Sequence, residues 1–513
     1  MKKVFFTIIV CNFLSCVSIK QYNEKLARPI SPANLKADVA FTQEKLQKLQ
    51  PNLYWYISKE KLDAKFDSLK SSISEPMTSI EFHKKLVTVT NAIGQGHLYL
   101  YQKTKKYDKT FLKSITKKGK GPLSQFEFEV FDNKLYVAKN KSTNLSIKVG
   151  TEVLSVNGHN SSALLSDFSR FFTSDGYNKT FFKYGLSQRF SSYYSSRHGI
   201  LDSLTYGFKM QDSSKTIVIK RLLLDSSQIK KAKVVLTTAQ KKAKRKKNKL
   251  LGFDADTKTY MRNLSFVKQD SSVAIIKIKG FKDGNFKKCY QLFFESIKNN
   301  KSKTLVLDLR NNGGGRLDEI SNLYTYLADS TFIFLKPSEL ASKTSLMQMD
   351  YFKGTSLWLK PFQIVGAPFF YSFLYLKTYK NNGKFYFNTK TKRQKIAENN
   401  FKGKIYVLIN GGSFSASSII SSNLKGSKRA TFVGEETGGS YNGTVAGQMP
   451  NIKLPHSELL LKVGLMAFTP YYQTDVEGRG IFPDVEILPT VTDRISNVDR
   501  EMEWILKDVE TRK

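Results

Sequence analysis

Two apolar runs beginning 100 positions apart each lead directly into a glycine-rich turn: Thr304-Leu-Val-Leu-Asp-Leu-Arg-Asn-Asn-Gly-Gly-Gly315 and Lys404-Ile-Tyr-Val-Leu-Ile-Asn-Gly-Gly-Ser-Phe-Ser-Ala-Ser-Ser-Ile-Ile420. Apolar runs of this length without polar alternation suit strands buried on both faces, as in a parallel sheet. The glycines let the backbone turn its N–H groups outward with no Cβ in the way. The second turn also delivers serines to the start of a helical pattern. One loop can thus supply a nucleophile, and two loops can supply convergent N–H donors. That pairing suits acyl transfer, in which one group attacks a carbonyl while others hold the oxyanion.

With 513 residues, the chain is long enough for roughly three domains. Its 40% hydrophobic and 13% aromatic content supports packed cores and excludes global disorder. The formal charge is +39, from 82 Lys and Arg against 43 Asp and Glu. A field of that size attracts polyanions, but the lysines are spread along the chain and no nucleic-acid-binding module is legible. No specific nucleic acid is therefore expected.

The chain opens as an export signal: Lys2-Lys3, the apolar stretch Val4 to Leu14, then Ser15-Cys16. The stretch is too short to remain as a membrane span. Phe13-Leu-Ser-Cys16 resembles a bacterial lipoprotein cleavage box, so Cys16 is the expected lipidation site and a lipid-borne membrane attachment follows. The expected location is the bacterial cell envelope, either periplasmic or as an outer-membrane lipoprotein. Besides Cys11 and Cys16 the chain holds only Cys289, which leaves no disulfide framework. Neither His-Glu-x-x-His nor a Cys/His cluster occurs, so no metal and no cofactor are expected.

Along the chain, residues 37–118 read as helical, with a capping box at Thr78-Ser-Ile-Glu81 and apolar Phe82, Leu86, Val89 and Ile93 at helical spacing. Gly94 ends that pattern and places Gln95-Gly96-His97 in a tight loop. Residues 123–222 read as short strands. There Gly150-Thr-Glu-Val-Leu-Ser-Val-Asn-Gly158 is similar to the strand and turn of PDZ domains. Residues 223–262, with the run Lys241-Lys-Ala-Lys-Arg-Lys-Lys-Asn-Lys249, read as a basic linker or exposed loop. Residues 263–513 read as an α/β domain interrupted at 337–398 by an aromatic-rich insertion, either a lid over a cleft or a packing subdomain.

Taken together, these motifs resemble the tail-specific (C-terminal-processing) serine protease family, and its tricorn-like branch in particular. The resemblance implies a multidomain α/β protein: a crotonase/ClpP-like core, an N-terminal helical segment and a PDZ-like domain that binds extended peptides. The family's nucleophile motif matches Ser413-Phe-Ser-Ala-Ser-Ser418, which makes Ser415 the expected nucleophile. Read by itself, a serine at a helix start is an N-cap; the surrounding pattern is what favours the nucleophile. The family's Asp-Leu-Arg-x-Asn-x-Gly-Gly element matches Asp308 to Gly315 and implies an oxyanion hole from the N–H of Gly313 or Gly314 with that of Ala416. Asp308 and Arg310 are expected to brace the loop.

One departure bears on mechanism. Where the Ser/Lys branch carries a lysine base, the run Gly434-Glu-Glu-Thr-Gly-Gly-Ser-Tyr-Asn-Gly-Thr444 has Ser440. The tricorn-like branch instead takes a histidine from the N-terminal segment, and Gly96-His97-Leu98 resembles that motif with Leu98 in place of threonine. His97 becomes the expected general base. For the third member of a triad, Glu477 is expected, with Asp475 as the alternative and Ser440 as a possible auxiliary. The implied activity is hydrolysis of peptide bonds in exported proteins or peptides. The alternative is an inactive, peptide-binding relative, and the oligomeric state is left open.

Overall fold

The computed structural model describes residues 18–211, 213–223, 236–267 and 270–512. The expected signal segment 1–16 and Cys16 therefore lie outside the described residues. The protein is a multidomain α/β structure. Its centre is a six-stranded sheet in the order Arg262–Val267, Asp270–Ile278, Thr304–Asp308, Lys404–Ile409, Thr431–Gly434 and Val485–Glu486. The first pair is antiparallel and every later pair is parallel. The uninterrupted apolar runs of the sequence become these inner strands: Thr304–Asp308 and Ile405–Ile409 are wholly buried.

Strand pairing makes neighbours of two turns that are distant in sequence. Thr304–Asp308 and Lys404–Ile409 lie in parallel register, with Asp308 opposite Leu408. Their glycine-rich turns therefore leave the same carboxyl edge side by side, where parallel sheets form their crevices. Asp308 accepts from Arg310 at 3.0 Å, and Arg310 reaches on to Asp499 at 2.7 Å. This ties the first turn to the C-terminal helix Arg500–Thr511 through its N-cap, Asp499.

The N-terminal segment packs the helices Pro32–Leu49, Lys59–Ser71 and Ser79–Asn91 against the same continuous core. The expected capping box is formed: Thr78 Oγ accepts the Glu81 N–H, and the Glu81 carboxylate accepts the Thr78 N–H at 2.8 Å. After it, Tyr99–Tyr101 adds to a small sheet by pairing with Leu460–Lys462.

Residues 126–220 form a separate antiparallel sheet of Phe126–Phe131, Lys134–Asn140, Glu152–Val156, Ser203–Met210 and Ser213–Lys220, with its own core. Two helices that the sequence reading omitted, Ser161–Ser169 and Thr180–His198, cover it. The two helices pack together through aromatic rings, such as Phe168 on Phe190. The basic run 241–249 differs from its expectation as a linker or loop. It lies on the exposed helix Thr238–Leu251, started by a Thr237/Gln240 capping box that offsets the helical cost of crowded lysines.

The insertion does not stand apart from the rest of the α/β region. Its strands Ser338–Leu340, Lys384–Phe387 and Tyr379–Asn381 extend a sheet with Met466–Phe468 and Thr444–Ala446. Cys289 is buried, and burial pushes its thiol up to about 12, which makes it inert.

Candidate active site

Ser415 is the N-cap of the helix Ala416–Gly426 and has φ 57° and ψ −119°. An L-residue with a side chain pays of order 1–3 kcal/mol for such a backbone, so something must hold it. Asn312 does much of this. Its carbonyl accepts the Phe414 N–H at 3.0 Å and the Ser417 hydroxyl at 2.8 Å. Its side chain donates to Ile278 O at 2.9 Å and accepts the Gly314 N–H at 3.0 Å. One buried amide therefore locks the two turns together.

These bonds separate the two expected oxyanion donors. The Gly314 N–H is committed to Asn312. The N–H groups of Gly313 and Ala416 have no hydrogen-bond partner among the described residues, and Gly313 lines the same cavity as Ser415. Gly314 has a packing role: at φ +100°, a Cβ on it would lie 2.7 Å from Ser415 Cβ and 2.8 Å from Ala416 N. No other residue fits between the turns.

His97 reaches the site from the far end of the chain. The strand Tyr99–Tyr101, pinned opposite Leu460–Lys462, fixes the preceding loop. Gly96 allows close contact there, since a Cβ would strike Phe414 Cζ at 2.3 Å. The His97 ring stands 5.2 Å from the ring of Phe414, the residue before Ser415. His97 and Ser415 both line one cavity of about 570 Å³. No hydrogen bond joins them among the described residues. No lysine lines this cavity among the described residues either.

The electrostatics of the ring follow from its surroundings. Loss of solvation, and then the Lys462 ammonium, hold the His97 imidazole down to about 4. It is therefore neutral at pH 7. Its Nδ1 lies 3.0 Å from Thr444 Oγ1, which leaves Nε2 unengaged among the described residues. Behind Thr444 sits Asp175, only 1% exposed, on the loop between Ser161–Ser169 and Thr180–His198. Asp175 Oδ1 accepts the Gly96 N–H at 2.8 Å. Burial raises its carboxyl to about 6, although Gly96 N–H, the Thr444 hydroxyl and the Ser440 backbone pull it down. Its Oδ2 is buried with no well-formed hydrogen bond.

The other expected acids stand elsewhere. Glu477 is exposed; its carboxylate accepts from Trp55 Nε1 at 3.2 Å and Asn442 Nδ2 at 3.3 Å, with no bond to His97. It follows Thr474, whose backbone Asn442 also holds, so the loop carries it past the ring toward Trp55. Asp475 is exposed. Ser440 is buried with its hydroxyl unpartnered and its backbone paired with Gly480. The sequence reading did not single out Thr444, although it closes the Gly434–Thr444 stretch, or Asp175, whose Thr-Ser-Asp-Gly setting reads as an ordinary turn.

Residues 272–487 match the model of Peptidase family S41. The carboxy-terminal-processing protease of Bartonella bacilliformis is 26% identical over 203 residues, which is 40% of this chain and 35% of that protein's length. Among solved structures, mature CPAF complexed with lactacystin aligns with a TM-score of 0.58 at 14% identity, covering 93% of this chain and 97% of that one. Mature CPAF alone aligns with a TM-score of 0.56 at 13% identity, covering 90% and 94%. At such identities the structural likeness speaks for the fold. The sequence match speaks for the lineage of one region: residues 272–487 are similar to Peptidase family S41, and the chain is similar to a carboxy-terminal-processing protease over 203 residues.

Proposed function

We propose that the protein is a serine endopeptidase that cleaves proteins or peptides in the bacterial cell envelope, with Ser415 as nucleophile and His97 as general base. The observation that carries this reading is the convergence on one cavity of a strained serine, a neutral imidazole and the free N–H of Gly313, with the free N–H of Ala416 next to the serine in the chain. Ser415 Oγ attacks the scissile carbonyl carbon while His97 Nε2 takes its proton. The Gly313 and Ala416 N–H groups receive the oxyanion. His97 then protonates the leaving amine, and water attacks the acyl-enzyme by the reverse path. Apolar walls from Met349, Phe370, Met466 and Phe468 suit an apolar substrate side chain beside the cleaved bond.

In this proposal the orienting role expected of Glu477 passes to Thr444 and Asp175. Thr444 accepts the Nδ1–H of His97 and donates its own hydroxyl to the Asp175 carboxylate. The buried anion stabilises the imidazolium through one intervening hydroxyl. Glu477 holds its loop against Trp55. Peptide capture by the antiparallel domain at 126–220, and export through the N-terminal segment, belong to the same reading.

Labelling with a fluorophosphonate tests it: the probe is expected to modify the wild-type protein and not Ser415→Ala, and peptide cleavage is expected to vanish with the label. Cleavage that persists in Ser415→Ala would reject the nucleophile. Absence of both labelling and cleavage in the wild type would leave a binding protein in its place.

The relay makes a separate prediction in pH. His97 is neutral above about 4 and Asp175 is anionic only above about 6. Activity needs both forms, so kcat/KM is expected to rise with pH through a midpoint near 6 set by the carboxyl. In Asp175→Asn, kcat is expected to fall by about 10²-fold and the midpoint near 6 to disappear. A wild-type midpoint that survives this substitution would assign it to another group.

A further inference from the structure

The helix Lys360–Lys377 is apolar on two sides, and the fold covers only one of them. Inward, Leu374 is buried and Phe370 stacks on Tyr351 at 4.6 Å; both Phe370 and Leu374 wall the active-site cavity. Outward, Trp358, Phe362, Val365, Phe369 and Leu376 leave 71–89% of their surface in water. Within the helix, Phe362, Val365, Phe369 and Leu376 follow at spacings of three, four and seven residues and make one stripe, and Trp358 stands in the turn just before it. Scattered exposed apolar residues need no explanation, but a continuous stripe of this size marks a contact surface.

The charge around the stripe indicates what covers it. From residue 351 to residue 397 the sequence contains no Asp or Glu. Lys360, Lys377 and Lys380 flank the helix and form no ion pair among the described residues. Docking a second copy face to face would set lysine against lysine in a chain that already carries +39. An anionic surface meets the lysines and the apolar stripe together. No described helix is long and apolar enough to cross a membrane. A cationic rim around an apolar helical face is the arrangement that lies in the headgroup layer of a bilayer.

We propose that the outer face of the helix Lys360–Lys377 docks on an anionic phospholipid bilayer. Trp358, Phe362, Val365 and Phe369 enter the headgroup–acyl boundary while the lysines meet lipid phosphates. Because the opposite face of the helix walls the catalytic cavity, docking holds that cavity against the membrane surface. Polypeptide segments close to the lipid become the accessible substrates. Membrane binding itself does not depend on hydrolysis, so Ser415→Ala is expected to dock like the wild type.

The test uses the full chain with vesicles of phosphatidylglycerol or of phosphatidylcholine. Wild-type protein is expected to cofloat with phosphatidylglycerol vesicles, with binding that weakens as salt is raised. Its tryptophan emission is expected to shift to the blue, a shift absent in Trp358→Phe. In Val365→Glu/Phe369→Glu the shift is expected to vanish and the partition to fall about tenfold or more. Both sites are exposed, so circular dichroism is expected to match the wild type. The proposal fails if the wild type shows no Trp358-dependent shift, or if the double variant keeps it. It also fails if the lipid-free wild type sediments as a dimer that the double variant dissociates, since a second copy then covers the stripe.

Discussion

His97→Ala is expected to lower kcat by about 10⁵- to 10⁶-fold, the scale seen when the histidine of a serine protease is removed. Folding should be little affected, because among the described residues the ring's one hydrogen bond is to Thr444 and its ring contact is with Phe414. The residual rate would come from the Gly313 and Ala416 donors and from substrate binding. The same variant has a signature in stability. The unfolded chain takes up the histidine proton from about pH 6.5 downward, whereas the folded protein withholds it until about 4. The unfolded state therefore binds more protons across that window, and acidification through it favours unfolding. Removing the imidazole removes that contribution, so His97→Ala should resist acid better than the wild type between those values. Parallel activity assays and pH-dependent melting measure both effects. A variant with near-wild-type turnover would exclude His97 as the base.

The largest stability effect is expected at a fully buried ion pair beneath the site. Arg262 donates to both oxygens of Glu319 at 2.6 Å, and neither side chain reaches solvent. Arg262 also donates to Leu251 O at 3.1 Å and Lys282 O at 3.0 Å, while Tyr290 donates to Glu319 at 2.8 Å. Every strong group in the cluster is thus engaged. Glu319→Gln keeps the shape but leaves a buried guanidinium without its counter-charge, at a cost of about 3–5 kcal/mol. A domain of this size is stable by only about 5–15 kcal/mol, so the melting temperature should fall by roughly 6–20 °C. Catalysis should suffer as well, because Glu319 sits on the helix Leu317–Thr325 directly after the Gly313–Gly315 turn. Replacing both partners by apolar residues should restore most of the lost stability. A single-variant loss under about 1 kcal/mol would contradict the assignment of this pair as a structural clamp.

Much of the central sheet was legible because its signals are local. Apolar runs of five or six residues that end in glycine specify buried parallel strands and open turns, whatever lies elsewhere in the chain. The capping box at Thr78 and the serine at a helix start were readable for the same reason. The helix Thr180–His198 escaped because its apolar residues form no clean stripe; aromatic packing against a sheet it could not announce stabilises it. The aromatic insertion was open between lid and subdomain. The structure joins it to the sheet of Met466–Phe468 and Thr444–Ala446 and uses it to wall the cavity.

The sequence by itself determined which residue types were available to the site: serines after a strand and glycine turn, one histidine in a glycine loop, and a serine where a lysine base would stand. Only the tertiary structure decided which of them meet. The register of Asp308 with Leu408 sets the two turns together, and the pairing of Tyr99 with Lys462 brings His97 to them across more than three hundred residues. The neighbours of the imidazole were decided there too. Hydrogen-bond reach is a few ångströms, and Asp175, 78 positions beyond His97 in the chain, stands behind Thr444 while Glu477 is held by Trp55. A carboxylate's place along a chain carries no information about such distances, which is why the acid had to be found in space.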